Sequence, residues 1–157
     1  ALVGHELTHA VDGKGRLVAA NGQLRDWWTA ADASAWDMLL APLVVQYGSH
    51  GVDGQRTRDE NAADLSGVEL AMDALATAQP ALDDTGRQWF YQGWANLWPQ
   101  QMSPDVAARM QATDVHAPGQ WRSNGPLANQ PAFGAAFKCK PGTPMQREPA
   151  LQVHIWD

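Results

Sequence analysis

The sequence predicts a mainly α fold, and three observations carry that reading. Apolar residues recur at helical spacing in four stretches: Leu2, Val3, Leu7, Ala10 and Val11; Ala30, Ala33, Trp36 and Leu40; Leu65, Val68, Met72 and Leu75; and Trp89, Phe90, Trp94 and Leu97. Helix punctuation brackets them, with Ser103 ahead of Pro104 as a start and Pro80 and Pro99 as stops. A content of 45% hydrophobic and 18% charged residues over 157 positions suits one soluble domain with a real core, not a disordered chain.

In chain order, residues 1–12 predict a first helix that stops near Asp12, with its apolar side turned toward the interior. Asp12-Gly-Lys-Gly15 and Asn21-Gly22 are turn chemistry, and residues 16–20 between them read as a short extended segment or hairpin arm. A second helix covers 30–40 and is limited or kinked by Pro42, while Trp27 and Trp28 ahead of it read as core and wall. The glycine-rich stretch 46–54 is a loop without the Lys-Ser/Thr ending of a phosphate loop. Residues 59–76, rich in Ala and Leu, predict a long helix, and 84–97 another whose aromatic stripe belongs to the core. A short capped helix follows over 103–112. From 113 to 126 breakers are too dense for regular structure, four more prolines follow, and 151–156 predicts a short extended strand near the C-terminus.

Charge and composition exclude several classes. A net charge of -6 with no clustered Lys or Arg argues against a nucleic-acid partner. No apolar run approaches the roughly 20 residues that span a bilayer, so this piece carries no membrane segment. The chain opens only four residues before its first motif, so 1–157 is expected to be the C-terminal part of a larger catalytic domain whose missing N-terminal part supplies the other wall of a cleft. Cys139, the single cysteine, forms no disulfide within the piece and lies far in sequence from a clear His base, so it reads as a packing residue.

The chemistry concentrates in two pairs of residues four apart. His5-Glu6-Leu7-Thr8-His9 is an H-E-x-x-H pattern: on a helix both imidazoles face one side and can share a cation, while Glu6 sits beside the remaining coordination position as a general base. Glu60 and Asp64 likewise share a helix face, which suits one metal ligand and one partner that fixes a histidine tautomer. Without the first motif they would read as a solvated acidic helix start. Asp12, three residues after His9, can orient the other imidazole. His50, in the glycine-rich loop, reads as a solvated side chain.

Three motifs in order resemble the neprilysin and endothelin-converting-enzyme metallopeptidases, of the gluzincin clan: His5-Glu-Leu-Thr-His9, then Glu60-Asn-Ala-Ala-Asp64, then Asp114-Val-His-Ala-Pro-Gly-Gln-Trp-Arg122. Asp26-Trp-Trp-Thr29 and Gln46-Tyr-Gly48 also look like segments of that family, so the resemblance runs over nearly the whole chain. Arg58-Asp59 stands where the family commonly has Leu-Gly, and Trp98-Pro-Gln100 departs from its usual continuation after Trp; neither touches a proposed ligand.

The resemblance implies a thermolysin-like zincin catalytic subdomain holding one Zn2+ on His5, His9 and Glu60, with Glu6 as the base and Asp64 supporting a ligand histidine. It implies that His116 stabilises the oxyanion and that Arg122 grips a carbonyl of a peptide substrate. It further implies a zinc endopeptidase acting on oligopeptides outside the cytoplasm, with a substrate-binding Asn-Ala strand and a helical cap upstream of Ala1. Two alternatives compete with it. A thermolysin-like secreted protease shares the His-Glu-Leu-Thr-His wording, but its third ligand falls near residue 29, which here is Thr. A non-catalytic binding domain derived from a peptidase would have no use for Glu6 beside both histidines.

Overall fold

Helix α3 (Arg58–Ala78) lies at the centre of the computed structural model, which describes residues 1–156. Residues 61–69 of α3 are buried without interruption, and Ala62, Ala63, Ser66 and Gly67 among them are small enough for neighbours to approach closely on several sides. Those neighbours are α1 (Leu2–Thr8), α2 (Ala30–Gly48) and α6 (Gly119–Leu127); α4 (Asp84–Ala95) packs on α6 and α7 (Pro131–Phe137), and α5 (Pro104–Thr113) completes the described helices. The fold is helical, as the periodicity predicts. Among the described residues, strand-like pairing is confined to two isolated bridges, Val18 with Leu24 and Thr143 with Gln146, the first lying in the hairpin arm the turn chemistry predicts.

Two apolar clusters flank α3. Leu40, Leu43 and Tyr47 of α2 meet Ala62 and Leu65 on one side, and Val68 and Met72 meet Tyr91, Trp94, Leu127 and Phe133 on the other. α2 starts as its sequence directs, with Thr29 Oγ accepting from Asp32 N at 3.2 Å while the Asp32 carboxylate accepts from Thr29 N at 2.8 Å. Pro42 neither ends nor limits it. The carbonyl that proline leaves without an N–H belongs to Met38, whose side chain is 69% exposed, so water can serve it, and the helix continues far enough to bury Leu43, Gln46 and Tyr47.

Other expectations are corrected by packing. α1 stops at Thr8, because the Asp12 carboxylate draws the next turn together by accepting from Lys14 N and Gly15 N at 2.8 and 2.7 Å. Its apolar side faces outward, with Val3 75% and Leu7 64% exposed, and the buried face is His5 and Thr8 against α3. On α4 the core residues are Tyr91 and Trp94, whereas Trp89 of the predicted stripe, and Leu97 just beyond the helix end, are exposed.

The breaker-rich stretch 113–126 contains α6, and its last turn shows how that is possible. Pro126 cannot donate to the Arg122 carbonyl, and the Trp94 indole N–H takes that place at 3.2 Å. Pro131 opens α7 at the position where a missing N–H is harmless. Residues 151–156 do not form a strand. The chain enters extended backbone at Gln152, but its polar groups are taken by side chains of other elements, as Val153 N donates to Asn129 Oδ1 and Ile155 N to Glu69 Oε2, each at 3.0 Å.

Candidate metal centre

The site begins where α1 crosses α3 at two glycines. A Cβ on Gly67 would stand 2.5 Å from Ala1 O and 2.8 Å from His5 N, and one on Gly4 would stand 3.0 Å from Gly67 Cα, so the helices meet backbone to backbone. This closeness carries the i, i+4 pair of α1 over the first turn of α3. His5 Nε2 and His9 Nε2 are 3.1 Å apart, and Glu60 Oε2 lies 3.5 Å from the first and 3.3 Å from the second. A tetrahedral zinc with bonds of about 2.0–2.1 Å spaces its ligand atoms about 3.3–3.4 Å apart, so the triangle has the dimensions of three zinc ligands. These are also the three residues whose donor atoms converge closely enough to share one ion among the described residues.

The partners behind the triangle decide what it carries. Asp12 is 1% exposed and already accepts two backbone N–H groups, and its Oδ2 lies 2.7 Å from His9 Nδ1. Asp64, also 1% exposed, accepts from Arg122 Nε and Nη2 at 2.9 and 2.8 Å, and its Oδ1 lies 2.8 Å from His5 Nδ1 in a bent contact. Carboxylates in those settings act as acceptors, so a metal-bound form would carry the proton on each Nδ1 and turn each Nε2 lone pair inward. Three lone-pair atoms then face one another, with Glu60 Oε2 buried and lacking a hydrogen-bond donor. Such an arrangement favours a positive charge at its centre, which a divalent ion on two imidazoles and a carboxylate would supply.

Titration follows the same logic. Burial lowers the pKa of His5, but Asp64 and Glu60 outweigh it and raise the ring to about 9. Burial pushes the Glu60 carboxyl up, and contacts with His5, His116 and His9 bring it below the ordinary 4.5. Without metal, these carboxylates favour a proton on His5.

Asp114 and His116 close a second side. His116 Nε2 lies 3.1 Å from Glu60 Oε2, its Nδ1 lies 2.9 Å from Asp114 Oδ1, and its backbone N–H donates to the same oxygen at 2.9 Å. Those bonds hold the Asp114 carboxyl below its ordinary value. The Asp114 carboxylate thus holds the His116 ring with its Nε2 turned toward Glu60. Arg122, besides its two bonds to Asp64, lies over the Trp98 ring at 3.8 Å. Trp98, Gln100, Met110, His116 and Arg122 line one open cleft.

The structure thus brings together His5, His9, Asp12, Glu60, Asp64, His116 and Arg122. Glu6 is exposed on α1, one position after His5. The third donor comes from α3, while Thr29 caps α2 and gives the thermolysin-type spacing no ligand. His50 is elsewhere, stacked on Trp121 at 3.7 Å, and Cys139 is a half-buried free thiol against the second apolar cluster. Two members received no role from the sequence. Asp114 heads the third motif without an assigned part, and Trp98 carries no signal for its place under Arg122.

Comparison with known proteins matches these features to one family. The sequence profile of peptidase family M13 covers residues 1–153. Human endothelin-converting enzyme 1 is 33% identical over 99% of this chain, as is neprilysin-1 of Caenorhabditis elegans. The crystal structure of PepO from Lactobacillus rhamnosis superposes over 99% of this chain with a TM-score of 0.86 and 34% identity, covering 25% of that protein. The zinc metalloprotease Zmp1 of Mycobacterium tuberculosis, in its open state, superposes with a TM-score of 0.89 at 29% identity, covering 99% of this chain and 27% of that one. The chain spans 22% of the length of the human enzyme and 23% of the worm protein.

Proposed function

Because this chain belongs to peptidase family M13, we propose that it forms part of a zinc endopeptidase that hydrolyses oligopeptides and that it holds the metal on His5, His9 and Glu60. The observation that carries the reading is the convergence of those three donors, each histidine backed by its own buried carboxylate, Asp64 or Asp12. Zinc bound there would supply Lewis acidity, polarising a peptide carbonyl and making water acidic enough to act as a nucleophile near neutral pH.

The protein's own groups divide the remaining work. Glu6, exposed and next to a ligand, accepts the proton of the attacking water and returns it to the leaving amine. His116, held by Asp114, donates to the oxygen on which charge builds in the transition state. Arg122 is positioned by Asp64 and Trp98 so that its guanidinium borders the cleft, where it can hold a carbonyl of the bound peptide. Asp64 therefore ties a ligand histidine to a substrate-binding residue. The rest of the cleft is proposed to come from the remainder of a longer protein, in keeping with the share of its relatives that this chain spans.

The test is Glu6→Gln in the intact protein. Zinc content stays near one per chain and peptide hydrolysis falls by about 10²–10⁴-fold, the usual contribution of a general base. Cleavage at a near wild-type rate would remove Glu6 from that role.

A further inference from the structure

We propose that residues 153–156 form a strap that fixes α1 on α3 and so holds His5 and His9 against Glu60, with Trp156 and Ser66 as positioning residues. This rests on the zinc reading above.

Helix α1 is seven residues long, too short to persist alone, its Leu2, Val3 and Leu7 side chains are exposed, and it meets α3 through the Gly4–Gly67 crossing and the buried His5 and Thr8. Two glycines in contact offer no interlocking side chains to set how far one helix slides along the other. A polar chain does so instead. Trp156 Nε1 donates to Ser66 Oγ at 2.6 Å, Ser66 Oγ lies 2.5 Å from Thr8 Oγ1, and Thr8 Oγ1 donates to Gly4 O at 2.8 Å.

The protons run one way along this chain. An indole N–H can only donate, and the single Thr8 hydroxyl proton is committed to Gly4 O, so the proton between the two hydroxyls belongs to Ser66. Thr8 is 1% and Ser66 0% exposed, which strengthens both bonds. The relay reaches α1 at Thr8, next to His9, and ends on the carbonyl of Gly4, next to His5.

The strap is itself anchored one turn further along α3. Glu69 Oε1 lies 3.0 Å from His154 Nδ1, and Oε2 accepts from Ile155 N at 3.0 Å. Val153 is 3% exposed in the cluster around Leu40 and Leu65. Residues 153–155 are thus fixed, and the Trp156 indole spans from them to the α1–α3 seam.

The test uses the intact protein, reading zinc affinity by competition with a chelator and thermal stability without metal. Trp156 is already 48% exposed, so Trp156→Phe keeps an aromatic ring at little packing cost and removes the N–H donor. Zinc affinity is expected to fall about tenfold, the lower end of what loss of an outer partner costs a metal site, with the metal-free melting temperature nearly unchanged. Ser66→Ala should do the same, and the double variant should lose no more than either single, because both act on one relay. Thr8→Ser keeps the hydroxyl and wild-type affinity, whereas Thr8→Val loses affinity as Ser66→Ala does. Unchanged affinity in Trp156→Phe and Ser66→Ala, or reduced metal-free stability with unchanged affinity, overturns the strap while leaving the zinc reading intact. A wild-type protein that takes up no zinc overturns both.

Discussion

Asp64→Asn exposes the coupling at the centre of the site. The side chain keeps its shape and loses one negative charge, and its amide NH2 must face a donor where an acceptor oxygen stood. Arg122 then retains a positive charge, its side chain 14% exposed, in place of two bonds at 2.8 and 2.9 Å. Removing one partner of a buried ion pair costs about 3–5 kcal/mol, and the partial exposure of Arg122 and its stacking over Trp98 put the expectation near about 3 kcal/mol. At the same time His5 loses the acceptor that fixes its tautomer, which should weaken zinc binding by about 10–100-fold. The two effects are separable. Denaturant unfolding of the metal-free protein reads the first, chelator competition reads the second, and Asp64→Asn combined with Arg122→Gln should recover part of the stability without restoring zinc affinity. An Asp64→Asn protein as stable as wild type and equally avid for zinc would refute the claim that this carboxylate joins the metal ligand to the arginine.

Three further outcomes follow from other parts of the site. Gly67→Ala places a methyl group against Ala1 O and His5 N, so α1 must move; a cost of about 1–3 kcal/mol and weaker zinc binding are expected, whereas Gly93→Ala, which meets nothing within 4 Å, should be neutral or slightly stabilising. His116→Ala should lower turnover by about 10²–10³-fold with little change in KM, because the charge it meets exists near the transition state; a rise in KM with turnover intact would reassign it to substrate binding. Burial pushes the Glu69 carboxyl above its ordinary 4.5, against opposing bonds from Ile155 and His154. A carboxyl raised in the folded state holds its proton more tightly there, so its contribution is most favourable below pH 4.5 and is lost as pH rises through the raised value. Unfolding of the metal-free protein between about pH 4 and about pH 8 should show wild type losing stability relative to Glu69→Gln, and parallel curves would refute the shift.

Much of this chemistry was legible in the chain itself. Residues four apart on a helix share a face whatever surrounds them, so His5 with His9, and Glu60 with Asp64, declare two-residue sites before any tertiary contact is known. Capping is equally local, which is why Ser103 starts a helix in the structure as its sequence directs. What the sequence by itself determined is therefore the helical class, the two pairs four residues apart and the family pattern they spell. Tertiary structure decided the rest, because a face has no inside until another element covers it. Leu2, Val3 and Leu7 read as an inward stripe, yet the glycine crossing turned His5 and Thr8 inward instead. α6 persists through Pro126 because Trp94, 32 residues earlier, donates to the carbonyl that the proline leaves bare. The link from Trp156 through Ser66 to the helix of His5 and His9 leaves no local pattern at all, since hydrogen bonds between residues 90 and 58 positions apart are fixed by packing and not by spacing.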